Sequence, residues 1–255
     1  MKLGLIQGRL SKPDEGFQDT PSDWKREFSL LKKAGLDHVE WIITKESFTS
    51  NPFFNQDLKK YSIYSVCADN LVDSRISDKE YVVSMLTPIC EAALKNNIRF
   101  ITIPLLEDSD VSDDTVRESF KQSLIYFSSK YPSLNFSLEA ELSREKLEEL
   151  INVSDNIYVT YDTGNMTSCG FNHEIYIKSL SGKISNVHLK DRKTNGQSVP
   201  PSTGDTDFGL IFKALREIEY SKVFTLQTSR EQSGDELDTI TKHSKLLRSI
   251  YEESI

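Results

Sequence analysis

Short apolar runs alternate with longer amphipathic stretches along most of the chain. Several runs, such as RFITIPLL and IYVTYD, are apolar at consecutive positions, which is typical of strands buried on both faces of a parallel sheet. Eight runs are therefore predicted to be strands: 2–7, 38–43, 62–68, 99–104, 135–139, 157–162, 184–189 and 223–227.

The stretches between these runs have the apolar spacing of helices. In SDWKREFSLLKKAG, Trp24, Phe28 and Leu31 follow a helical period that ends at Gly35. Glycine is common after the last helical residue because it adopts the left-handed conformation without steric cost. The stretch SDKEYVVSMLTPICEAALKNN contains Pro88, which predicts a kink or a break in that helix.

Eight predicted strands, each followed by a helical stretch, favour a single (β/α)8 TIM barrel of the α/β class over residues 1–255. A doubly wound open sheet is the alternative. Its dinucleotide-binding form needs GxGxxG after the first strand, and LIQGRLSK lacks that motif. No linker, composition shift or internal repeat divides the sequence, so one domain is predicted.

Charge and cysteine content argue against several classes of protein. Lys and Arg number 31 against 39 Asp and Glu, a net charge of −8 that disfavours nucleic-acid binding. The three cysteines lack the pairing of a disulfide framework or a four-cysteine zinc site and suit a reducing compartment. No apolar run approaches the roughly 20 residues of a membrane span, and MKLGLIQGRL lacks a secretory core. We expect a soluble cytoplasmic protein.

Polar residues end four successive predicted strands, where a barrel carries its reactive groups. They are Glu139, Asp162, His188 and Gln227. Buried together they need a cation, and a ligand set rich in oxygen with one imidazole suits Mn²⁺, Mg²⁺, Co²⁺ or Zn²⁺. Three of them also have a structural interpretation: Asp162 can cap the following turn, Glu139 can be a solvated charge, and His188 can be a core residue.

The ordered segments QGRL, VEW, CAD, LE, YDTGN, VHLKDR, GDTDF and LQTSR resemble the xylose-isomerase-like TIM-barrel superfamily over the whole chain. More narrowly, they resemble its sugar phosphate isomerase/epimerase family, with VHLKDR and PSTGDTDFG as the most specific parts. The resemblance implies an enzyme with a carbohydrate substrate and a divalent metal on Glu139, Asp162 and His188. It places Gln227 where the family usually has Glu, and it leaves a homo-oligomer open.

Gln227 changes the mechanism that we expect. In the 3-epimerases of that family two metal-bound glutamates work on opposite faces of a sugar carbon, whereas the amide of Gln227 can bind a metal but cannot act as a base. We therefore expect Glu139 to move a proton along one face of an enediolate. Glu141 and Glu231 are candidate replacement bases, with solvated surface charges as the alternative interpretation.

Further residues near the strand ends are candidates for substrate contacts. Arg192 and Arg230 follow the last two strands, where such barrels often hold phosphate. Lys190 lies in the same segment, and Asp191 is expected to orient its neighbours rather than react. Four residues are expected to line the sugar pocket: Arg9, Glu40, Trp41 and Asp69. Trp41 fits the barrel core or an interface equally well.

Three functions remain open at this point. The first is a metal-dependent sugar or sugar-phosphate isomerase or epimerase with Glu139 as the base. The second is a barrel that binds a sugar or a protein partner without turnover, which the departure at Gln227 motivates. The third is an abasic-site endonuclease of the same fold. It is disfavoured because such an enzyme resembles a three-zinc site with many histidines. This chain has four histidines, of which His38, His173 and His243 look structural.

Overall fold

The strands and helices follow the predicted alternation, except that the residues between the second and third strands form only a 3₁₀ helix, Pro52–Phe54, and no α-helix. The computed structural model describes residues 1–12, 20–231 and 235–254. The strands are β1 (Lys2–Ile6), β2 (Val39–Ile42), β3 (Ile63–Cys67), β4 (Phe100–Leu105), β5 (Asn135–Ala140), β6 (Ile157–Asp162), β7 (Ile184–Leu189), β8 (Asp191–Arg192), β9 (Ser198–Val199) and β10 (Val223–Leu226). The helices are α1 (Trp24–Leu31), α2 (Lys79–Lys95), α3 (Asp114–Lys130), α4 (Arg144–Ile151), α5 (Thr163–Ser168), α6 (His173–Ser179), α7 (Phe208–Glu217) and α8 (Glu236–Glu253).

Eight of the strands form a closed barrel in the order β1-β10-β7-β6-β5-β4-β3-β2, and β8 and β9 form a separate antiparallel pair. The barrel pairings with a defined register are parallel. This confirms the (β/α)8 prediction and excludes the open sheet. The two-residue strands β8 and β9 were not predicted, because they are too short to show a period in sequence.

Within the barrel the chain forms two compact units. Among the described residues, the first unit comprises 1–12, 21–39, 161–231 and 235–254, and the second comprises residue 20 and 40–160. The interpretation of residues 1–255 as one domain stays a prediction.

In the first unit, β10 pairs with both β1 and β7, so that Thr225 lies opposite Gly4 on one side and His188 on the other. Gly4 is needed here because a Cβ at this position would overlap the side chain of His38. The ring of His38 is buried and its Nε2 lies 3.3 Å from Thr225 Oγ1. His38 is therefore structural, as expected.

In the second unit, β3, β4, β5 and β6 pair in sequence, and Pro104 lies opposite Glu139. Buried hydroxyls lie along these strands one layer below the strand ends. Thr102 Oγ1 donates to Glu40 Oε1 at 2.5 Å and lies 3.4 Å from Thr160 Oγ1, which is 2.6 Å from the hydroxyl of Ser137. The interior beneath Glu139 is thus a connected polar layer.

Helix α2 continues through Pro88, so the predicted break is absent. The helix is capped by Asp78, whose carboxylate accepts the N–H groups of Glu80 and Tyr81. It is retained across the proline because it buries an apolar face, which stabilises more than the one lost hydrogen bond costs. No helix in the described part of the chain is long and apolar enough to cross a membrane.

Candidate functional site

Three of the four predicted metal ligands come together at the strand ends. One ligand atom each from Glu139 on β5, Asp162 on β6 and His188 on β7 lie within 4.8 Å of one another. The three residues are 3%, 2% and 0% exposed. The grouping arises because parallel strands of a barrel end at the same face, so residues far apart in sequence meet there.

The two carboxylate oxygens of Asp162 have different surroundings. Its Oδ1 accepts the N–H of Asn165 at 2.8 Å and so caps α5, as the structural interpretation expected. Its Oδ2 lies 3.9 Å from Nζ of Lys190. Capping and metal binding are therefore compatible, because the cap uses one oxygen and the ligand cluster can use the other.

Gln227 directly follows β10, and its N–H donates to the carbonyl of Leu189 at 3.1 Å. This bond places Gln227 beside the end of the strand that carries His188. Its side-chain Oε1 is buried, and no donor among the described residues meets it. A buried amide oxygen without a donor is costly unless a cation or another group satisfies it.

The segment after β7 is held by two side chains. The hydroxyl of Thr163 donates to the carbonyl of Lys190 at 2.7 Å and accepts its N–H at 3.0 Å. The fully buried carboxylate of Asp191 accepts the backbone N–H groups of Thr203, Gly204 and Thr206 at 2.9 to 3.2 Å. This confirms that Asp191 orients its neighbours. A Cβ at Gly204 would overlap the Asp191 carboxylate, which explains the glycine.

The two arginines proposed for phosphate have different surroundings. Nη1 of Arg230 donates to the carbonyl of Ser11 at 2.9 Å, Nη2 donates to the carbonyl of Gly8 at 2.6 Å, and the guanidinium lies 3.2 Å from Glu236. Arg230 therefore braces the segment after β1 and is already paired with a carboxylate. Arg192 is half-buried, and the aliphatic part of its side chain lies close to Gly164. A Cβ at position 164 would be 3.1 Å from Cγ of Arg192.

Three more pocket candidates are placed as follows. Arg9, three residues after β1, is 1% exposed, and Glu40 is fully buried on β2. Asp69 follows β3 and has a pKa raised to about 6, first by burial and then by the nearby charges of Glu139 and Glu107. The second unit thus presents a carboxylate-rich set of side chains.

The two candidate replacement bases, Glu231 and Glu141, have different surroundings. The Oε1 atom of Glu231 is 2.7 Å from Nε2 of the buried His243, and this contact lowers the pKa of Glu231. The other ring nitrogen, Nδ1, lies 3.0 Å from the hydroxyl of Thr228. Glu141 is half-buried and lies just beyond the end of β5.

Sequence reasoning missed Asn165 and the surroundings of His173. The side-chain Oδ1 of Asn165 lies 3.5 Å from Nζ of Lys190, whereas its Nδ2 is buried and meets no acceptor among the described residues. Nδ1 of His173 lies 2.6 Å from the hydroxyl of Tyr161, next to Asp162. A polar residue three positions after a candidate ligand is a usable signal for Asn165, but no sequence pattern links positions 161 and 173.

Comparisons with known proteins agree with this architecture. An inosose dehydratase from Clostridium botulinum (strain Eklund 17B / Type B) is 27% identical over 109 residues, which are 35% of this chain and 37% of that protein. The match thus spans little more than a third of that relative.

Solved structures match over nearly the whole chain. An IolI protein with a bound zinc atom has a TM-score of 0.75 and 19% identity, covering 100% of this chain and 99% of that one. An L-ribulose 3-epimerase has a TM-score of 0.77 and 18% identity, covering 99% and 95%. At these identities the likeness concerns the fold.

A family model described as the xylose isomerase-like TIM barrel matches residues 28–250. That range includes all but the first of the eight barrel strands and all four strand-end residues. The chain therefore belongs to the xylose isomerase-like TIM barrel family.

Proposed function

We propose that this protein is a divalent-metal-dependent sugar isomerase or epimerase. The observation that carries the proposal is the buried grouping of Glu139, Asp162 and His188 within 4.8 Å. The structural relatives support the same class, because they include a sugar epimerase and a protein with bound zinc.

The residues fit a divalent cation. Burying two carboxylates together is unfavourable without positive charge nearby, and Lys190, at 3.9 Å from Asp162, supplies one such charge. Gln227 adds a buried amide oxygen that no donor among the described residues meets. Glu139, Asp162, His188 and Gln227 would hold Mn²⁺, Mg²⁺, Co²⁺ or Zn²⁺. When bound, the ion supplies Lewis-acid polarisation of a sugar carbonyl.

Proton transfer falls to Glu139 in this proposal. Gln227 has no basic oxygen, and the carboxylate of Glu231 is bonded to His243. One base favours a proton shift between neighbouring carbons on one face of the sugar, which is an aldose–ketose isomerisation. Lys190 and the side-chain amide of Asn165 would donate to the sugar oxygen that gains negative charge.

An uncharged sugar fits the surroundings better than a sugar phosphate. Arg230 is engaged with two carbonyls and with Glu236, so it offers little to a phosphate. In the second unit, Asp69, Glu107 and Glu139 raise the electrostatic cost of bringing in another anion. The named substrate of the epimerase relative, L-ribulose, is also unphosphorylated. Arg9, Glu40, Asp69 and Arg192 are retained as candidate pocket residues.

A solvent-exchange experiment tests the proposal. Purified protein is treated with a chelator, reloaded with Mn²⁺, Co²⁺, Mg²⁺ or Zn²⁺, and incubated in D₂O with pentoses, hexoses and their phosphates. We expect deuterium at the carbon next to the carbonyl of an uncharged sugar, lost on chelation and lost in Glu139→Gln. The exposed Lys193→Met substitution serves as the matched control and should retain exchange. Metal-independent exchange, or full exchange by Glu139→Gln, would contradict the proposed mechanism.

A second function is a barrel that binds a sugar without turnover. Gln227 favours it, because a site with one carboxylate fewer is less able to return a proton. In that case sugars would raise the melting temperature of the metal-loaded protein while no deuterium enters any of them. Detectable exchange eliminates this alternative.

A further inference from the structure

One imidazole outside the ligand cluster links the elements on both sides of Asp162. His173 is the first residue of α6, and its Nδ1 lies 2.6 Å from the hydroxyl of Tyr161. Its Nε2 lies 3.1 Å from the hydroxyl of Thr167. Tyr161 immediately precedes Asp162 at the end of β6, and Thr167 lies in α5, which Asp162 caps. His173 thus bridges the strand and the helix between which Asp162 stands.

The protons of this network can be assigned. The hydroxyl of Thr167 has one proton, which it donates to the carbonyl of Thr163 at 2.8 Å. Nε2 of His173 must therefore be the donor to Thr167, which leaves Nδ1 to accept from the hydroxyl of Tyr161. Burial lowers the pKa of His173 to about 4, so a neutral ring agrees with this assignment.

The same network reaches the segment after β7. The hydroxyl of Thr206 lies 3.0 Å from that of Thr167 and, because the Thr167 proton is already used, Thr206 is the donor. Thr206 in turn accepts the N–H of Arg192 at 3.4 Å. The side chain of Thr163, at the start of α5, holds the backbone of Lys190 through two hydrogen bonds. Helix α5 is therefore linked to His173 through Thr167 and to Lys190 through Thr163.

We propose that His173, as the neutral Nε2–H tautomer, is a positioning residue for Asp162 and Lys190. It acts through Tyr161 and Thr167, which keep α5 in the orientation that sets the Asp162 carboxylate and the Lys190 ammonium 3.9 Å apart. The consequence for turnover rests on the proposed function, whereas the link itself does not require metal or sugar.

Three substitutions separate the two arms of the link. His173→Phe removes both hydrogen bonds and keeps a ring, His173→Asn keeps an acceptor near the position of Nδ1, and His173→Gln keeps a donor near the position of Nε2. The matched control is His243→Phe, because His243 is a buried histidine of the same unit that bonds Thr228 and Glu231 instead. All variants are studied as the full-length, metal-free protein.

The first measurement is amide hydrogen exchange of Asn165, which donates to Asp162, and of Lys190, which donates to Thr163. In His173→Phe both amides should exchange about tenfold faster, since removing a hydrogen bond from a buried link typically has an effect of that size. His173→Asn and His173→Gln should give intermediate rates, and His243→Phe should leave both amides as in the wild type. Wild-type rates for both amides in His173→Phe would overturn the proposal.

The second measurement is the ¹⁵N NMR spectrum of the His173 ring at pH 7. The expected spectrum is that of a neutral ring protonated at Nε2, and a ring protonated at Nδ1, or at both nitrogens, would overturn the proposal. Deuterium exchange into sugar then separates this inference from the proposed function. If wild-type protein shows no turnover, the proposed function fails, while amide exchange and the ring tautomer still decide whether His173 positions Asp162.

Discussion

Nζ of Lys190 lies 3.9 Å from Oδ2 of Asp162, in surroundings where both side chains are largely buried. The ammonium of Lys190 therefore partly neutralises the carboxylate of Asp162, as a divalent cation bound there would. In the proposed metal site, the charge of Lys190 would therefore affect how tightly Asp162 binds the ion.

Replacing Lys190 by Met should strengthen binding of Mn²⁺ by a few-fold, because it removes a positive charge that repels the ion and competes for Asp162. Calorimetric titration of the chelator-treated protein measures the dissociation constant. The exposed Lys193→Met substitution should leave it unchanged. Unaltered or weaker binding in Lys190→Met would show that the ammonium does not compete with the ion.

Gln227→Glu should strengthen Mn²⁺ binding on the order of tenfold, because a carboxylate is a stronger ligand for a hard cation than an amide oxygen. Without metal the same substitution should lower the melting temperature, since it buries another carboxylate at the strand end beside β7. Calorimetry and thermal unfolding with and without Mn²⁺ test the two effects. If neither changes, Gln227 does not reach the ion.

Asp191→Asn should lower the free energy of unfolding by about 2–3 kcal/mol. The carboxylate of Asp191 accepts three backbone N–H groups. The substitution removes its negative charge and replaces one acceptor oxygen by an NH₂ donor. Denaturant unfolding measures the loss. Asp205→Asn is a suitable comparison, because the carboxylate of Asp205 accepts one N–H, that of Thr194, at an exposed position. Equal losses in the two variants would contradict the role given to Asp191.

The stability of the protein should depend on pH through His173. Its pKa is lowered from 6.5 to about 4, so between these values the unfolded chain binds more protons than the native protein, and stability falls as the pH decreases. This contribution is fully present above pH 6.5 and is lost by about pH 4, with an upper limit of roughly 3 kcal/mol.

The difference in unfolding free energy between wild type and His173→Phe should therefore shrink as the pH falls from 7.5 to 4.5. Denaturant unfolding at a series of pH values within that interval gives this difference directly. His243→Phe provides the comparison for a second histidine whose pKa is also lowered by burial. A difference between wild type and His173→Phe that stays constant with pH would contradict the lowered pKa.

The limits of local pattern are clearest at Pro88 and Arg230. Pro88 predicts an interruption from local stereochemistry, yet α2 is continuous because the burial of its apolar face outweighs the local cost. Arg230 follows the last barrel strand, a position that suggested phosphate. The structure pairs it instead with carbonyls of residues 8 and 11, more than 200 positions away in sequence, and such a pairing leaves no local trace.

The sequence by itself determined the eight alternating strand and helix segments and, through them, the barrel. It also determined that Glu139, Asp162 and His188 end neighbouring strands, because the period of the apolar residues marks where each strand stops and parallel strands end at one face. Only the tertiary structure decided which partner each polar side chain takes. The link between Tyr161 and His173, the pairing of Lys190 with Asp162 and the anchoring of Arg230 depend on distances of a few ångströms between separate elements. Those distances result from packing, which a linear pattern of residues does not specify.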